Sequence, residues 1–248
     1  MPLPLPRHLN NIADNTTPNL SLKYYKRADL YKNHEFKELT KDKSKFFDDI
    51  IRFSKSPAYK QAFETRKRLM EGIGISFPMT TATRLVFGMG YQHPAEIGFM
   101  FDWTSGLPII PGSSLKGIAL QMAEYKKEQG INQLFGSPEG GEGEIIFLPA
   151  YPCVEENKPF LELDVMTPHY REYYSDPANN PPADWYSPIP LHFLTVPAGI
   201  KYCFRIAMRR NLKVNESRHL SQAKGILEFA LTDFGVGAKT AVSYGYFK

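Results

Sequence analysis

Two short segments of the sequence combine glycine, hydroxyl and lysine residues in a way that could hold a phosphate group. The first is Gly235-Val-Gly-Ala-Lys-Thr240, where two glycines stand one residue apart. Because glycine has no Cβ, backbone N–H groups in such a loop can approach an anion closely. Lys239 adds a positive charge at the same place. This segment, hereafter the glycine loop, predicts phosphate contacts from Gly235, Gly237, Lys239 and Thr240.

The second segment is Pro111-Gly-Ser-Ser-Leu-Lys-Gly117, which opens a helical pattern. Unpaired N–H groups and the helix dipole attract anions to a helix N-terminus, and a lysine there is mildly unfavourable unless an anion is bound. Ser113, Ser114 and Lys116 are therefore further candidate phosphate contacts. The alternative is that the serines cap the helix in the ordinary way and the lysine is only exposed.

The glycine loop differs from the loop that binds nucleotide phosphates in ATPases and GTPases. That loop requires G-x-x-x-x-G-K-[ST] in a turn from a strand to a helix. Here Ala238 precedes Lys239, and the loop follows a helical pattern and leads into a strand-like one. These differences argue against nucleotide hydrolysis. A tight helix-to-strand connection that needs glycine only for its backbone conformation stays open as an alternative.

Composition and charge indicate a folded chain with a concentrated basic region. The chain has 248 residues, of which 42% are hydrophobic and 23% charged, so it can bury a core within one large domain. The net charge is +4, but residues 23–68 hold 14 Lys and Arg against 7 Asp and Glu. This surplus favours a surface for a polyanion, with a solvated helical face as the alternative.

The cysteines and the hydropathy exclude several classes of protein. Cys153 and Cys203 have no neighbouring Cys or His partner, so we expect two reduced thiols, no metal and no cofactor. The first residues lack the apolar segment of a signal peptide, and no apolar run approaches a membrane span. We therefore expect a cytoplasmic protein with no membrane partner.

The order of strand-like and helical patterns predicts an α+β fold. Strand patterns cover residues 80–88, 144–148, 201–209 and 241–247, and helical patterns cover residues 113–127 and 216–234. This is the order of a ferredoxin-like (RRM-like) split βαβ core with an antiparallel sheet. We predict an extended arm over residues 1–20, a basic helical region over 21–78, and the ferredoxin-like domain over 79–248. Long insertions are predicted at residues 90–111 and 151–190.

The second insertion carries residues that could suggest a nuclease. Glu162, Asp164 and His169 lie close in sequence but lack the converging, regularly spaced ligands of a metal nuclease. A structural role is the better interpretation. Five aromatic residues could stack on bases, but the surrounding prolines favour a role in anchoring the insertion to a neighbour. They are Tyr170, Tyr173, Tyr174, Trp185 and Tyr186.

Three motifs together resemble a known family. They are PGSSLKG at residues 111–117, FLELDVMTPHYREYY at 160–174 with Asp184-Trp185 after it, and FGVGAKTAVSYGYF at 234–247. In this order they resemble the RAMP superfamily of CRISPR proteins, and within it the sixth subunits of type III-B (Cmr) effector complexes. The resemblance runs from about residue 78 to the C-terminus.

The resemblance implies a ferredoxin-like core whose glycine loop lies near the backbone of a guide RNA. It implies a non-catalytic subunit that caps the filament of backbone RAMP subunits near the 3′ part of the guide. The partners would be guide RNA, target RNA, the backbone RAMP subunit, the small helical subunit and the first RAMP subunit. Arg84 is a further candidate RNA contact. The alternatives are a metal-dependent or metal-independent ribonuclease and a scaffold that binds only proteins.

Overall fold

The computed structural model describes residues 19–26, 43–95, 97–137, 139–211 and 217–248, without the side chain of Arg171. The α-helices of this part are α1 Leu20–Lys26, α2 Ser44–Ser54, α3 Pro57–Leu69, α4 Gly112–Tyr125, α5 Ile131–Phe135, α6 Arg171–Ser175 and α7 Arg218–Asp233. The strands are β1 Ile75–Thr80, β2 Ile145–Phe147, β3 Tyr151–Pro152, β4 Glu162–Met166, β5 Leu191–Thr195 and β6 Lys201–Met208.

The main sheet is built around β6. Strands β1 and β2 pair with β6 on either side, and β3 also pairs with it, in every case antiparallel. The alternating pattern of β6 predicted one apolar face, and Tyr202, Phe204 and Ile206 are indeed completely buried. Burial of alternate residues fixes the register, since a slip by one residue would expose them. The mixed α+β class with antiparallel sheets is therefore confirmed.

Helices α4 and α7 pack against each other and against the sheet. Their apolar stripes, such as Ala119 on α4 and Leu227 on α7, are fully buried. The first residue of α4 lies very close to β2, because a Cβ on Gly112 would stand 2.0 Å from the carbonyl oxygen of Phe147. This close approach fixes the position of the N-terminus of α4 relative to the sheet.

Two predicted strands differ from the structure. The first strand covers 75–80 rather than 80–88, because the chain after Thr80 changes its partners every few residues. Ala82 bonds to Tyr246, whereas Leu85 bonds to Val196. The predicted terminal strand at 241–247 is also wrong, since Thr240–Val242 form a 3₁₀ turn. Only the last two residues continue as a pairing with residues 80–81.

The first insertion packs against the N-terminal helices. The Tyr24 hydroxyl of α1 donates to the Ile97 carbonyl at 2.7 Å, and Arg66 of α3 forms a 2.6 Å ion pair with Asp102. Burial alone would raise the pKa of Asp102, but hydrogen bonds from Ser105 and Thr104 and the charge of Arg66 hold it below its ordinary value. The predicted arm up to residue 18 and residues 27–42 of the basic region lie outside the described residues.

A separate two-stranded sheet is formed by one strand within the second insertion and one that directly follows it. Strands β4 and β5 pair antiparallel, with Asp164 opposite Phe193. Between them, Tyr174 and Trp185 are 75% and 77% exposed, so neither side chain is buried against this chain's own core. Their predicted role as anchors to a neighbouring protein stays a prediction.

Both cysteines are half-buried free thiols. Burial raises the pKa of Cys153 to about 11, so its thiol stays protonated at neutral pH. Within the described ranges, none of the helices combines the length and apolar character needed to cross a membrane.

Candidate nucleic-acid interface

The glycine loop and the first turns of α4 line the same open groove, which has a volume of about 750 Å³. Ser114, Gly117 and Gln121 face it from α4, and Gly237 faces it from the glycine loop. The remaining wall is the turn at residues 87–91. The two segments that the sequence singled out as phosphate contacts are therefore neighbours in space.

The glycine loop has a structural reason for its glycines. Gly237 has a φ of +100°, and a Cβ there would stand 2.5 Å from the carbonyl oxygen of Val86. The loop is bonded on both sides, by Ala238 N–H to Val86 at 2.9 Å and by Val236 N–H to Gly245 at 2.9 Å. A tight connection that needs glycine only for its backbone conformation therefore explains the glycines. It does not explain why other N–H groups of the loop have no acceptor.

Three N–H groups of the loop remain available to a ligand. Among the contacts of the described residues, the N–H groups of Gly237, Lys239 and Thr240 donate no hydrogen bond. Lys239 adopts the left-handed conformation with a φ of +64°, which turns the chain sharply at this point. Successive N–H groups in a turn of this kind form a concavity suited to anions.

The start of α4 differs from the predicted capping arrangement. The N-cap is Pro111, and no side chain caps the helix. Ser113 and Ser114 lie inside the first turn, where the N–H groups of Ser114 and Leu115 both donate to the Pro111 carbonyl. The serines are therefore not N-caps. Ser114 lines the groove, Ser113 is exposed, and Lys116 is half-buried on the same turn without lining the groove.

The lysine of the glycine loop extends away from the groove, toward the second insertion. Its Nζ lies 3.9 Å from the sulfur of Met166 on β4 and 5.9 Å from the centre of the Tyr244 ring. The polar groups that line the groove include the Gly237 N–H and the Ser114 hydroxyl, whereas Lys116 and Lys239 are next to lining residues in the chain without lining the groove themselves.

Arg84 lies in a second groove of about 500 Å³, which Glu162 and Tyr244 also line. Its guanidinium donates to Glu162 at 2.7 Å and lies 3.2 Å from Asp164. The Tyr244 hydroxyl donates to the same Asp164 oxygen at 2.5 Å. Burial, followed by this hydrogen bond, raises the pKa of Tyr244, so the hydroxyl keeps its proton. The structure does not bring Arg84 together with Ser114 and Gly237.

The carboxylates that suggested a nuclease therefore hold Arg84 and Tyr244. The Asp164 side chain is only 12% exposed. His169 is exposed, and its ring lies next to that of Tyr170. Over the described parts of the chain, no group of three or more His, Cys, Asp or Glu side chains is arranged to hold a metal ion.

One wall of the groove was not predicted from the sequence. Residues 87–91 are Phe-Gly-Met-Gly-Tyr, and Tyr91 is 50% exposed at this wall. Gly88 and Gly90 stand one residue apart, as the two glycines of the glycine loop do, and this spacing could have identified the wall from the sequence. The sequence pattern instead predicts a strand up to residue 88 and an insertion from residue 90.

Comparisons with known proteins agree with these features. The RAMP superfamily model matches residues 79–248. The CRISPR system Cmr subunit Cmr6 of Pyrococcus furiosus is 29% identical over 75% of this chain and 72% of its own length. Cmr6 of Saccharolobus solfataricus is 31% identical over 76% of this chain and 63% of its own length.

A solved structure is also similar. A chain in the cryo-EM structure of the type III-B Cmr-beta complex bound to cognate target RNA aligns with a TM-score of 0.63 and 26% identity. The alignment covers 83% of this chain and 70% of the other. The chain therefore belongs to the RAMP superfamily and, within it, resembles the Cmr6 subunits of type III-B CRISPR systems.

Proposed function

We propose that this chain is a non-catalytic RNA-binding and assembly subunit of a type III-B CRISPR effector complex in the cytoplasm. It caps the backbone filament near the 3′ part of the guide RNA, and it serves antiviral defence. The observation that carries the RNA-binding role is the groove shared by the glycine loop and the start of α4. The Cmr6 relatives and the similarity to a chain of an RNA-bound Cmr complex support the assembly role.

The groove suits a partner recognised by its backbone. Phosphate contacts position a nucleic acid without reading its bases, which fits a subunit that must accept any guide sequence. In the groove, the N–H group of Gly237 and the hydroxyl of Ser114 supply such contacts. The unbonded N–H groups of Lys239 and Thr240 follow directly in the chain, and Lys116 adds charge. Target RNA, paired with the guide, is the second RNA partner.

The exposed residues of the second insertion suit protein partners. Tyr174 and Trp185 present large apolar surfaces to solvent, and exposed patches of this kind are typical of interfaces. We propose that they contact another Cmr subunit, with the backbone RAMP subunit, the small helical subunit and the first RAMP subunit as the neighbours.

We also propose that the main sheet is a modified ferredoxin-like core. In that fold the last strand pairs with the first. Here Lys248 and Thr80 exchange two backbone hydrogen bonds of 2.9 Å, which places the chain end beside β1. Helices α4 and α7 pack together against the sheet, as the two helices of the fold do. The 3₁₀ turn shortens the last strand to its final residues, which pair with residues 80–81.

The salt dependence of RNA binding tests the phosphate site. Lys116→Ala with Lys239→Ala should weaken binding of single-stranded RNA. It should also lower the slope of log K against log salt concentration by roughly 0.7 for each RNA phosphate that the variant no longer neutralises. Fluorescence anisotropy over a series of salt concentrations measures both quantities.

The control variant removes two lysines that line neither groove, Lys127→Ala with Lys158→Ala. It should leave the slope nearly unchanged. An unchanged affinity and slope in the Lys116/Lys239 variant would show that the phosphate site is wrong. In an assembled complex, RNA crosslinks absent from residues 113–116 and 235–240 would favour a scaffold that binds only proteins.

A further inference from the structure

The groove contains more apolar surface than phosphate binding requires. Phe87, Met89, Met100 and Ile118 line it together with the glycine loop. Phosphate groups need N–H, hydroxyl or cationic partners and gain nothing from apolar walls. A nucleobase has two apolar faces and a polar edge, and single-stranded RNA presents its bases unstacked. The lining therefore matches a nucleotide rather than its phosphate alone.

The backbone that carries Tyr91 is held in place at this groove. The Tyr91 backbone N–H donates to the Gly88 carbonyl at 3.0 Å, and the N–H of Met100 donates to the Phe87 carbonyl at 2.9 Å. A Cβ on Gly98 would stand 2.6 Å from the Cβ of Tyr91, so the two chain segments touch. Half of the tyrosine remains exposed. Because the backbone is already fixed, only the tyrosine side chain has to lose conformational freedom when a base stacks on it.

Gly117 of α4 leaves space at the groove. A glycine inside a helix is less favourable than alanine by about 1 kcal/mol. No atom lies within 4 Å of the position where its Cβ would stand, so helix packing does not require glycine there. The residue lines the groove between Ser114 and Gln121. Its missing side chain keeps the groove open on the α4 side.

We propose that this groove is a nucleobase site, in which an unstacked base of single-stranded RNA stacks on Tyr91 over the surface left open by Gly117. The carboxamide of Gln121 offers a donor and an acceptor to the base edge. Every base has an aromatic face that can stack on a tyrosine, so the site is compatible with any guide sequence. This inference rests on the proposed RNA-binding function.

The test compares RNA with an abasic ribose-phosphate oligomer of the same length and charge, titrated with the 248-residue chain at one salt concentration. Base stacking on an aromatic residue predicts that RNA binds roughly tenfold tighter than the abasic oligomer, or more. Tyr91→Leu and Gly117→Leu should remove most of that ratio, because each should weaken binding of RNA much more than binding of the abasic oligomer. Tyr91→Phe should retain the ratio.

Matched controls are Tyr125→Leu, an exposed tyrosine of α4 away from the groove, and Gly225→Leu, a glycine of α7 with equally open surroundings. Both should keep the ratio. Equal binding of the two oligomers by the unmodified chain would overturn the base site, as would equal weakening of both by Tyr91→Leu. A further outcome is that Lys116→Ala with Lys239→Ala leaves the affinity for RNA unchanged while the ratio of RNA to abasic affinity responds to Tyr91→Leu as expected. That result would contradict the phosphate site and support the base site. Binding of neither oligomer overturns both.

Discussion

Among single residues, Gly237 combines a demanding backbone conformation with an N–H group that has no acceptor among the described residues. Its φ of +100° and the 2.5 Å approach to the Val86 carbonyl exclude a side chain. Its N–H group donates no hydrogen bond among the described contacts, and the residue lines the groove. The same backbone conformation that closes the connection leaves this N–H group unbonded at the groove, which is the arrangement that the proposed phosphate contact requires.

Gly237→Ala is expected to lower the free energy of unfolding by about 1–3 kcal/mol, because the left-handed conformation and the close carbonyl both oppose a Cβ. It should weaken RNA binding as well, since the loop must shift. Urea denaturation measures the first effect and anisotropy the second.

The control for this variant is Gly225→Ala in α7, where nothing lies within 4 Å of the added methyl group. Helix propensity predicts that this control is stabilised by about 0.5–1 kcal/mol. A Gly237→Ala protein as stable as the unmodified chain would contradict the required close approach.

At the scale of elements, α1 is joined to the first insertion by aromatic residues. The His93 imidazole stacks on Tyr24 with ring centres 3.9 Å apart, and its Nε2 lies 2.7 Å from the Tyr24 carbonyl. The Ala95 N–H donates to Nδ1 at 2.9 Å, so the neutral ring donates through Nε2 and accepts at Nδ1. Burial lowers the pKa of His93 to about 4.

This lowered pKa predicts a pH dependence of stability. The neutral ring is favoured in the folded chain, so its contribution is complete above the ordinary histidine pKa of about 6.5 and is lost as the pH falls toward about 4. Relative to His93→Gln, the unmodified chain should lose up to about 3 kcal/mol of stability over this range.

Denaturant titrations of both proteins at several pH values measure this difference. A difference in stability between the two proteins that does not change with pH would contradict the buried neutral ring.

Across the whole molecule, positive charge is concentrated in one part of the chain. The positive surplus lies within residues 23–68, which leaves the rest of the chain slightly negative. The carboxylates Glu162 and Asp164 are engaged by Arg84 and Tyr244. These contacts join β4 to the C-terminal segment.

The chain is therefore expected not to cleave RNA. Labelled single-stranded RNA incubated with the protein should remain intact, with Mg²⁺ or Mn²⁺ and without divalent metal. Gel electrophoresis over time checks this result, with His169→Ala as the matched variant. Cleavage by the unmodified chain that His169→Ala abolishes would support the ribonuclease alternative instead.

Local signals in the sequence are enough for several elements. The helix at 112–125 and the buried face of β6 follow from periodicity and residue type. The phosphate contacts at residues 113–116 and 235–240 stay a prediction. The same motifs sufficed for the resemblance to RAMP proteins. Periodicity and local residue type act over a few neighbouring positions, so these features need no knowledge of distant partners.

Which of these segments lie next to each other is visible only in the tertiary structure. It placed Ser114 and Gly237 in one groove with the unpredicted Tyr91, and it placed Arg84 elsewhere between two carboxylates. It also replaced the expected last strand by a turn, because Lys239 and Ser243 adopt left-handed conformations that break a ladder. Contacts between residues far apart in the chain depend on how the whole core packs, which no local pattern records.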